Sequence, residues 1–393
     1  MTMNPLMPVS CPACACAFTI ELPRAAPIAA GSCPRCRRTA YVSRYRRIDI
    51  GLSEVCNLTC NMCRRPQEKA FMAFSRVERL LTEARDIGVR TISFSGGEPF
   101  VHPRFLDILR TALGLALDVE LVTNGTLVRA ADIPILEGLK CMTVSIDGTR
   151  DVHDHIRGKQ GAYDRTLETL RMLASSSVQW GTNTVIQACN ADVLLDNWRA
   201  IRAVGRPSYV GLTHVEVVPE TAHLQPSAAQ HTEIRRQLAA IRDECVSEHI
   251  HFNDEPLLMP MYEIFADKSR RYRPLDGCTI PQTFLGISNY GVFPCWHQGR
   301  SIQSDGLIDA LESDLCREIV AEGLERRCVG CNAANYSWSP EWIEGIAAAA
   351  AAREWDDGVV YLSAGERETG SLSAGRKTLP LLERRRVHEG RAR

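Results

Sequence analysis

From Ile48 onward, apolar residues switch repeatedly between two spacings. Compact runs near 48–52, 91–95, 119–123, 141–146, 180–186 and 209–218 predict β-strands. Between them, stretches near 103–115, 129–138, 161–174, 191–204 and 227–246 carry apolar residues three and four apart and predict amphipathic helices. The clearest helix comes first. Val77, Leu80, Leu81, Ala84 and Ile87 share one face, Ser75 and Glu78 read as a capping box, and Gly88 supplies the stop. In the last helix Cys245 falls on the apolar face with Ile234, Leu238 and Ile241. Six such units joined by short turns predict an α/β fold, a parallel sheet with outer helices.

In a barrel built this way the functional residues gather at the carboxyl ends of the strands. Those ends read Glu98, then Thr123-Asn124-Gly125-Thr126, then Ser145-Ile146-Asp147-Gly148. Asn-Gly and Asp-Gly are also ordinary turn dipeptides, so each residue alone is ambiguous. His214 and Glu216 alternate on the sixth strand and so share a face, beside a substrate if that face is inward and a solvated pair if it is outward.

Composition narrows the class. The chain has 393 residues, 45% hydrophobic and 24% charged, which is ordinary for a globular protein. A net charge of −1 and a pI near 6.8 give no overall field favouring nucleic acid or an anionic membrane as the main partner. Arg35, Arg37, Arg38, Arg44, Arg46 and Arg47, interleaved with Tyr41 and Tyr45, fit either an RNA-binding strip or a solvated linker face. Sixteen cysteines, mostly in closely spaced groups, point to metal sites in a reducing compartment rather than to disulfides. With no signal-peptide pattern and no apolar run of about 18 residues, the expectation is a soluble cytoplasmic protein.

Two cysteine groups precede the first helix. Cys11-Pro12-Ala13-Cys14 and, after eighteen intervening residues, Cys33-Pro34-Arg35-Cys36 read as a four-thiolate zinc ribbon within residues 1–47, with Cys16 an alternative to Cys14 and rubredoxin-like iron the minor alternative. So short a segment predicts that the metal, about 10–16 kcal/mol in isolated zinc fingers, is its main source of stability. The second group, Cys56, Cys60 and Cys63, is spaced C-x3-C-x2-C. Three thiolates on one loop leave one iron of a four-iron, four-sulfur (4Fe–4S) cluster open to another ligand, while a zinc knuckle or buried thiols would use the same residues inertly. One strand–helix unit later stands Ser95-Gly96-Gly97-Glu98-Pro99, where residues lacking Cβ let backbone approach a ligand and a carboxylate can accept from an ammonium.

The triplet followed by Gly-Gly-Glu resembles the signature of the radical S-adenosylmethionine (SAM) superfamily. The resemblance implies a partial (β/α)6 TIM-like barrel over residues 48–246. It also implies SAM chelated at the open iron, with Gly96, Gly97, Glu98, Thr123 and Ser145 in SAM binding and Arg157 a candidate carboxylate partner, since His153, Asp154 and Arg157-Gly158 resemble the stretch after the family's fourth strand. Met62 departs from the aromatic residue frequent at that position, though a thioether can pack on adenine.

Residues 247–275 read as a connecting segment and 276–340 as a small cluster-binding domain. Cys278, Cys295, Cys328 and Cys331 resemble the twitch domain, a shortened relative of the SPASM domain, which implies one auxiliary 4Fe–4S cluster; the glycine before Cys295 sits one position nearer than in the commonest pattern, and a second zinc site is the alternative. Cys141, Cys189, Cys245 and Cys316 look like spare thiols. Over 341–393, Ala347–Ala352 predicts a helix beginning near Pro340, and beyond Asp357 a composition poor in large apolar residues predicts a disordered tail. The expected function is reductive SAM cleavage and hydrogen abstraction, leading to net oxidation of a small molecule such as a sugar or aminocyclitol, with an electron donor such as flavodoxin or ferredoxin. Only about 47 residues precede the first strand, which disfavours a separate leader-peptide-binding domain there. Peptide oxidation or crosslinking is the second reading, and an RNA-binding or redox-sensing protein without SAM chemistry is the third.

Overall fold

The computed structural model describes residues 6–23, 26–63, 70–215, 219–252, 271–274, 284–295, 300–324 and 359–362. Six parallel strands follow one another across a single sheet: β5 (Arg47–Gly51), β6 (Thr91–Ser95), β7 (Asp118–Thr123), β8 (Cys141–Ser145), β9 (Trp180–Ile186) and β10 (Tyr209–His214). They alternate with α1 (Phe74–Asp86), α2 (Phe105–Gly114), α3 (Ile133–Leu136), α4 (Arg150–Arg157), α5 (Ala162–Ala174), α6 (Leu194–Val204) and α7 (Ala228–Ser247). This is the expected α/β partial barrel. The helices bury Val77, Leu81, Ile108, Leu170, Trp198 and Ile241 against Ile48, Ile92, Phe94, Met142 and Val144 of the strands in one continuous core. No helix among the described residues is long and apolar enough to cross a membrane.

The sheet is wider than six strands. β11 (His251–Phe252) adds beyond β10, and a hairpin of β13 (Phe284–Ser288) and β14 (Gly291–Phe293) adds beyond β5, β13 running parallel to it. Two short strands, β12 (Arg271–Pro274) and β15 (Val359–Leu362), pair with each other. α8 (Leu307–Glu312) and α9 (Asp314–Leu324) pack near α1, where Glu83 accepts from the N–H groups of Leu307 and Ile308.

Local expectations met mixed fates. α1 ends in a Schellman motif, with Gly88 at φ 87° and the N–H groups of Gly88 and Val89 bonded to the carbonyls of Arg85 and Ala84. Its start is not the Ser75–Glu78 capping box. The N-cap is Ala73, with no side-chain cap, because the chain before it is pinned: Phe71 bridges to Ser53 and Met72 N–H bonds Leu52 O, so the helix begins at Phe74. The helix expected over 129–138 shrinks to a 3-10 turn at Ala130–Asp132 plus α3, since Pro134 is tolerated only in a first turn. β10 stops at His214, and Glu216 lies outside the described residues, as does the helix expected from Pro340; of the tail beyond Asp357 only β15 is described, a strand where the composition gave no ordered element.

The amino-terminal segment is a duplicated hairpin. β1 (Leu6–Ser10) pairs with β2 (Ala17–Glu21) and β3 (Ile28–Ser32) with β4 (Thr39–Ser43), each closed by one C-P-x-C knuckle. The two knuckles repeat bond for bond: Cys11 N–H reaches Cys16 O as Cys33 N–H reaches Arg38 O, and Ala15 and Arg37 both take positive φ. A metal is not the sole support. Ile20, Leu22, Ala40 and Val42 form a small core, and Ile28 and Tyr45 belong to the main one, where Tyr45 bonds Cys316 of α9. The arginine strip divides: Arg44 donates to the carbonyls of Leu22 and Pro23, Arg46 to Gly88 O, and Arg47 pairs with Asp49, while Arg35, Arg37 and Arg38 stay exposed at the second knuckle.

Candidate active site

Cys56, Cys60 and Cys63 lie on the irregular loop after β5, at the carboxyl end of the sheet. Such a loop must find acceptors for its N–H groups outside regular structure. It finds them on α4. Thr59 N–H bonds Arg157 O at 3.2 Å and Asn61 N–H bonds Ile156 O at 2.9 Å, so carbonyls that a helix end leaves unpaired are used by the cysteine loop. Gly158, at φ 65°, closes the contact, because a Cβ there would overlap Thr59.

The Gly-Gly pair packs on the other flank, against protein backbone. Gly97 N–H bonds Ser53 O at 2.7 Å and Glu98 N–H bonds Val55 O at 3.0 Å, and a Cβ on Gly96 would stand 2.5 Å from Ser53 O. One on Gly97 would run into the Val55 carbonyl. Two glycines thus let the end of β6 lie against the backbone leading into Cys56.

Glu98 is 1% exposed, and its carboxylate is occupied by the protein. Oε1 accepts from the Thr123 hydroxyl at 2.7 Å and from Phe100 N–H at 3.2 Å, and Oε2 accepts from Asn124 N–H at 2.7 Å. Burial outweighs these donors and raises its pKa to about 6. Ser145, half-buried, ends β8 opposite Asn183 of β9.

Asn57 was not singled out from the sequence, and Asn124, Thr126 and Asp147 stood there only as parts of strand-end runs; together with Arg157 they tie these parts together. Asn57 donates to the Thr126 hydroxyl at 2.8 Å and accepts from Asn124 Nδ2 at 2.9 Å, and Asn124 Nδ2 also lies 3.9 Å from Cys56 Sγ. Asp147 is 0% exposed; its Oδ1 accepts from Val185 N–H at 2.8 Å and its Oδ2 pairs with Arg157 Nε at 2.5 Å. Arg157 Nη1 in turn stands 3.8 Å from Cys60 Sγ. His153 accepts from Asp147 N–H, and burial depresses its pKa to about 4, so the ring is neutral. An Asn inside the triplet and an Asp beside a glycine turn were the available signals.

The thiols suit different metal groups. The ribbon sulfurs of Cys11, Cys14, Cys33 and Cys36 all lie within 4.8 Å of one another, with Cys11–Cys36 at 3.5 Å and Cys14–Cys33 at 3.6 Å. Four thiolates around one zinc at about 2.3 Å stand about 3.8 Å apart, so this cage fits a single ion. Cys16 is outside it. Cys56, Cys60 and Cys63 make no such tight group, yet Cys56 and Cys63, and Cys60 and Cys56, feel one another's charge. A wider set of three thiols, with N–H donors from Leu58, Asn124 and Arg157 aimed at sulfur, suits a cluster. Of the four carboxyl-terminal cysteines only Cys295 is described, buried just after β14; Cys278, Cys328 and Cys331 lie outside the described residues.

Toward the amino ends of β5, β7 and β8, away from the cysteine loop, charged side chains pair with one another. Arg47 reaches Glu120 at 2.5 Å and Asp49 at 3.1 Å, Lys140 reaches Glu120 at 3.3 Å, and Arg47 feels Tyr209 from the far side of the six strands. The Tyr209 ring lies across Gly181 and Gly211, with Asn183 beside it.

Residues 50–187 match the sequence model of the Radical SAM superfamily. The AdoMet-dependent heme synthase of Methanosarcina barkeri is 30% identical over 177 residues, 43% of this chain and 51% of that protein. The antilisterial bacteriocin subtilosin biosynthesis protein AlbA of Bacillus subtilis is 30% identical over 134 residues, 32% of this chain and 30% of that one. The chain thus spans about half, or less, of the curated relatives it matches. Among solved structures, Streptococcus suis SuiB bound to S-adenosylmethionine aligns with TM-score 0.55 at 17% identity over 72% of this chain and 67% of that one. Native anSMEcpe with bound AdoMet aligns with TM-score 0.54 at 18% identity over 71% and 84%. At these identities the structures establish the fold.

Two predictions follow from the packing around the loop. Gly97→Ala should cost about 1–3 kcal/mol through forced overlap with Val55 and should reduce the iron taken up on anaerobic reconstitution; wild-type iron content would contradict the backbone role. For Glu98, a folded pKa raised from 4.5 to about 6 means that stability present below pH 4.5 is lost as pH rises through 6. Relative to Glu98→Gln, the wild type should lose about 2 kcal/mol across that window in denaturant unfolding; parallel curves for the two proteins would refute it.

Proposed function

We infer that this radical SAM enzyme binds a 4Fe–4S cluster through Cys56, Cys60 and Cys63 and SAM on the same carboxyl face of its partial barrel. The observation that carries the reading is the three-thiol loop held between the Gly96-Gly97 backbone and the end of α4, with donors aimed at its sulfurs. Such a cluster, when bound, supplies one electron to cleave SAM to methionine and a 5′-deoxyadenosyl radical. The chain's own contribution is to hold the cysteine loop, to keep Thr123 and Asn124 fixed on Glu98, and to present Ser145 and Asn183 above the barrel interior. Gly96, Gly97, Glu98, Thr123 and Ser145 are the residues proposed around SAM. Glu98, whose oxygens already have donors, acts there through the backbone it holds.

The proposed reaction is hydrogen abstraction followed by net oxidation of a small polar molecule. The supporting observation is that half-buried polar residues, Thr143, Ser145 and Asn183, alternate with buried positions along β8 and β9, which suits a substrate rich in hydroxyl or amino groups. A second reading is favoured by AlbA and by the sporulation killing factor maturation protein SkfB of Bacillus subtilis, 27% identical over 152 residues, whose names point to peptide products. On that reading a peptide side chain occupies the same interior. An auxiliary cluster on Cys278, Cys295, Cys328 and Cys331 would accept the second electron, and a flavodoxin or ferredoxin would supply the first. The ribbon holds one zinc in a closed coordination sphere and is structural or a docking module.

Anaerobically reconstituted protein with a strong reductant should convert SAM to 5′-deoxyadenosine, and replacing Cys56, Cys60 and Cys63 with alanine should abolish the product. Undiminished cleavage in that variant would sink the reading. Metal analysis separates the other two sites. Changing Cys11 and Cys33 to serine should remove one zinc and leave iron unchanged, and changing Cys328 and Cys331 to alanine should remove about four irons while 5′-deoxyadenosine still forms. Zinc rather than iron lost from the second variant would replace net oxidation by a redox-neutral reaction.

A further inference from the structure

We propose that Arg157 is a positioning residue for the cluster rather than a ligand for SAM: its guanidinium, oriented by Asp147, donates to the Cys60 thiolate and raises the reduction potential of the cluster. The proposal rests on the reading that Cys56, Cys60 and Cys63 hold that cluster. Arg157 is fixed from three directions. Its Nε pairs with Asp147 at 2.5 Å, its Nη1 points at Cys60 Sγ at 3.8 Å, and its own carbonyl accepts from Thr59 N–H, one residue before Cys60. The side chain is 9% exposed and its carboxylate partner 0%.

Asp147 is itself immobilised. Val185 N–H occupies Oδ1, Asn190 Nδ2 donates to its carbonyl at 2.8 Å, and its own N–H bonds His153 at 3.1 Å. With so much of its environment devoted to one orientation, the guanidinium has a fixed job. Two of its edges are already committed, to a carboxylate and to a thiol.

A positive N–H donor at a cluster thiolate favours the reduced state, which carries one more negative charge, so it moves the potential upward. Reduction of the cluster by one electron, from dithionite or a low-potential viologen in the test, involves no other bond change. Burial strengthens the effect because the interaction is poorly screened.

The experiment is an EPR-monitored redox titration of the full-length reconstituted protein and of Arg157→Lys. Lysine keeps a cation for Asp147, but its single nitrogen cannot stand at the positions of both Nε and Nη1. The expected result is a midpoint shifted to more negative potential in the variant, with cluster content unchanged. A double variant, Asp147→Asn with Arg157→Met, removes both buried charges together and guards against a fold left with one unpaired; it should shift in the same direction. An unchanged midpoint in variants that carry the cluster overturns the proposal. So does an unchanged midpoint accompanied by weaker SAM binding, which would make the guanidinium a SAM ligand. If the wild type takes up no cluster on these cysteines, it is the cluster reading that fails, and the two failures are told apart by iron content.

Discussion

A loop of eight residues that carries three cysteines has no ladder of its own, and everything at the carboxyl face follows from how its backbone is satisfied. Two contacts do this. On one flank the terminal carbonyls of α4 accept from Thr59 and Asn61, and on the other the Gly96-Gly97 backbone accepts the approach of residues 53–55. Each such bond contributes only about 1 kcal/mol net, so their value lies in excluding alternatives. The buried Asp147–Arg157 pair adds a stronger constraint, because removing one partner of such a pair typically costs about 3–5 kcal/mol. The backbone around Cys56 and Cys60 is therefore held by the protein's own contacts.

Much of this was legible in the chain. The strands were readable because Ile48, Ile92, Val119 and Met142 are core positions in short runs, and α1 and α7 because their buried faces are apolar. α4 was not readable as a helix by the same signal. Its buried residues are His153, Asp154, Ile156 and Arg157, so an apolar stripe is missing where the helix faces polar partners. The protein-side role of Gly-Gly could not be read for a related reason. A glycine announces close approach but not what approaches, and here it is Val55 and Ser53. Glu98 likewise signalled a carboxylate with a task, but its partners, Thr123, Asn124 and Phe100, come from separate parts of the chain and are brought together only by the fold. The added strands β13 and β14 are short and lie some 230 residues from β5, which they extend, so no local pattern links them.

The ribbon and residues 284–295 and 300–324 meet the sheet on the same flank. The ribbon inserts Ile28 and Tyr45 into the main core and meets α9 through Tyr45 and Cys316, while β13 pairs with β5 and β14, outermost on that side of the sheet, runs back antiparallel to it and leads to Cys295. The ribbon and the carboxyl-terminal segment therefore brace the strand that leads into the cysteine loop.

The central claim is that Cys56, Cys60 and Cys63 hold a cluster with one iron left open. Mössbauer spectroscopy of protein reconstituted with iron-57 tests it most directly, recorded with and without SAM. An open iron predicts that SAM changes the parameters of one site in four and leaves the other three of that cluster unchanged. Identical spectra in the two conditions, from protein carrying a full complement of iron, would contradict it.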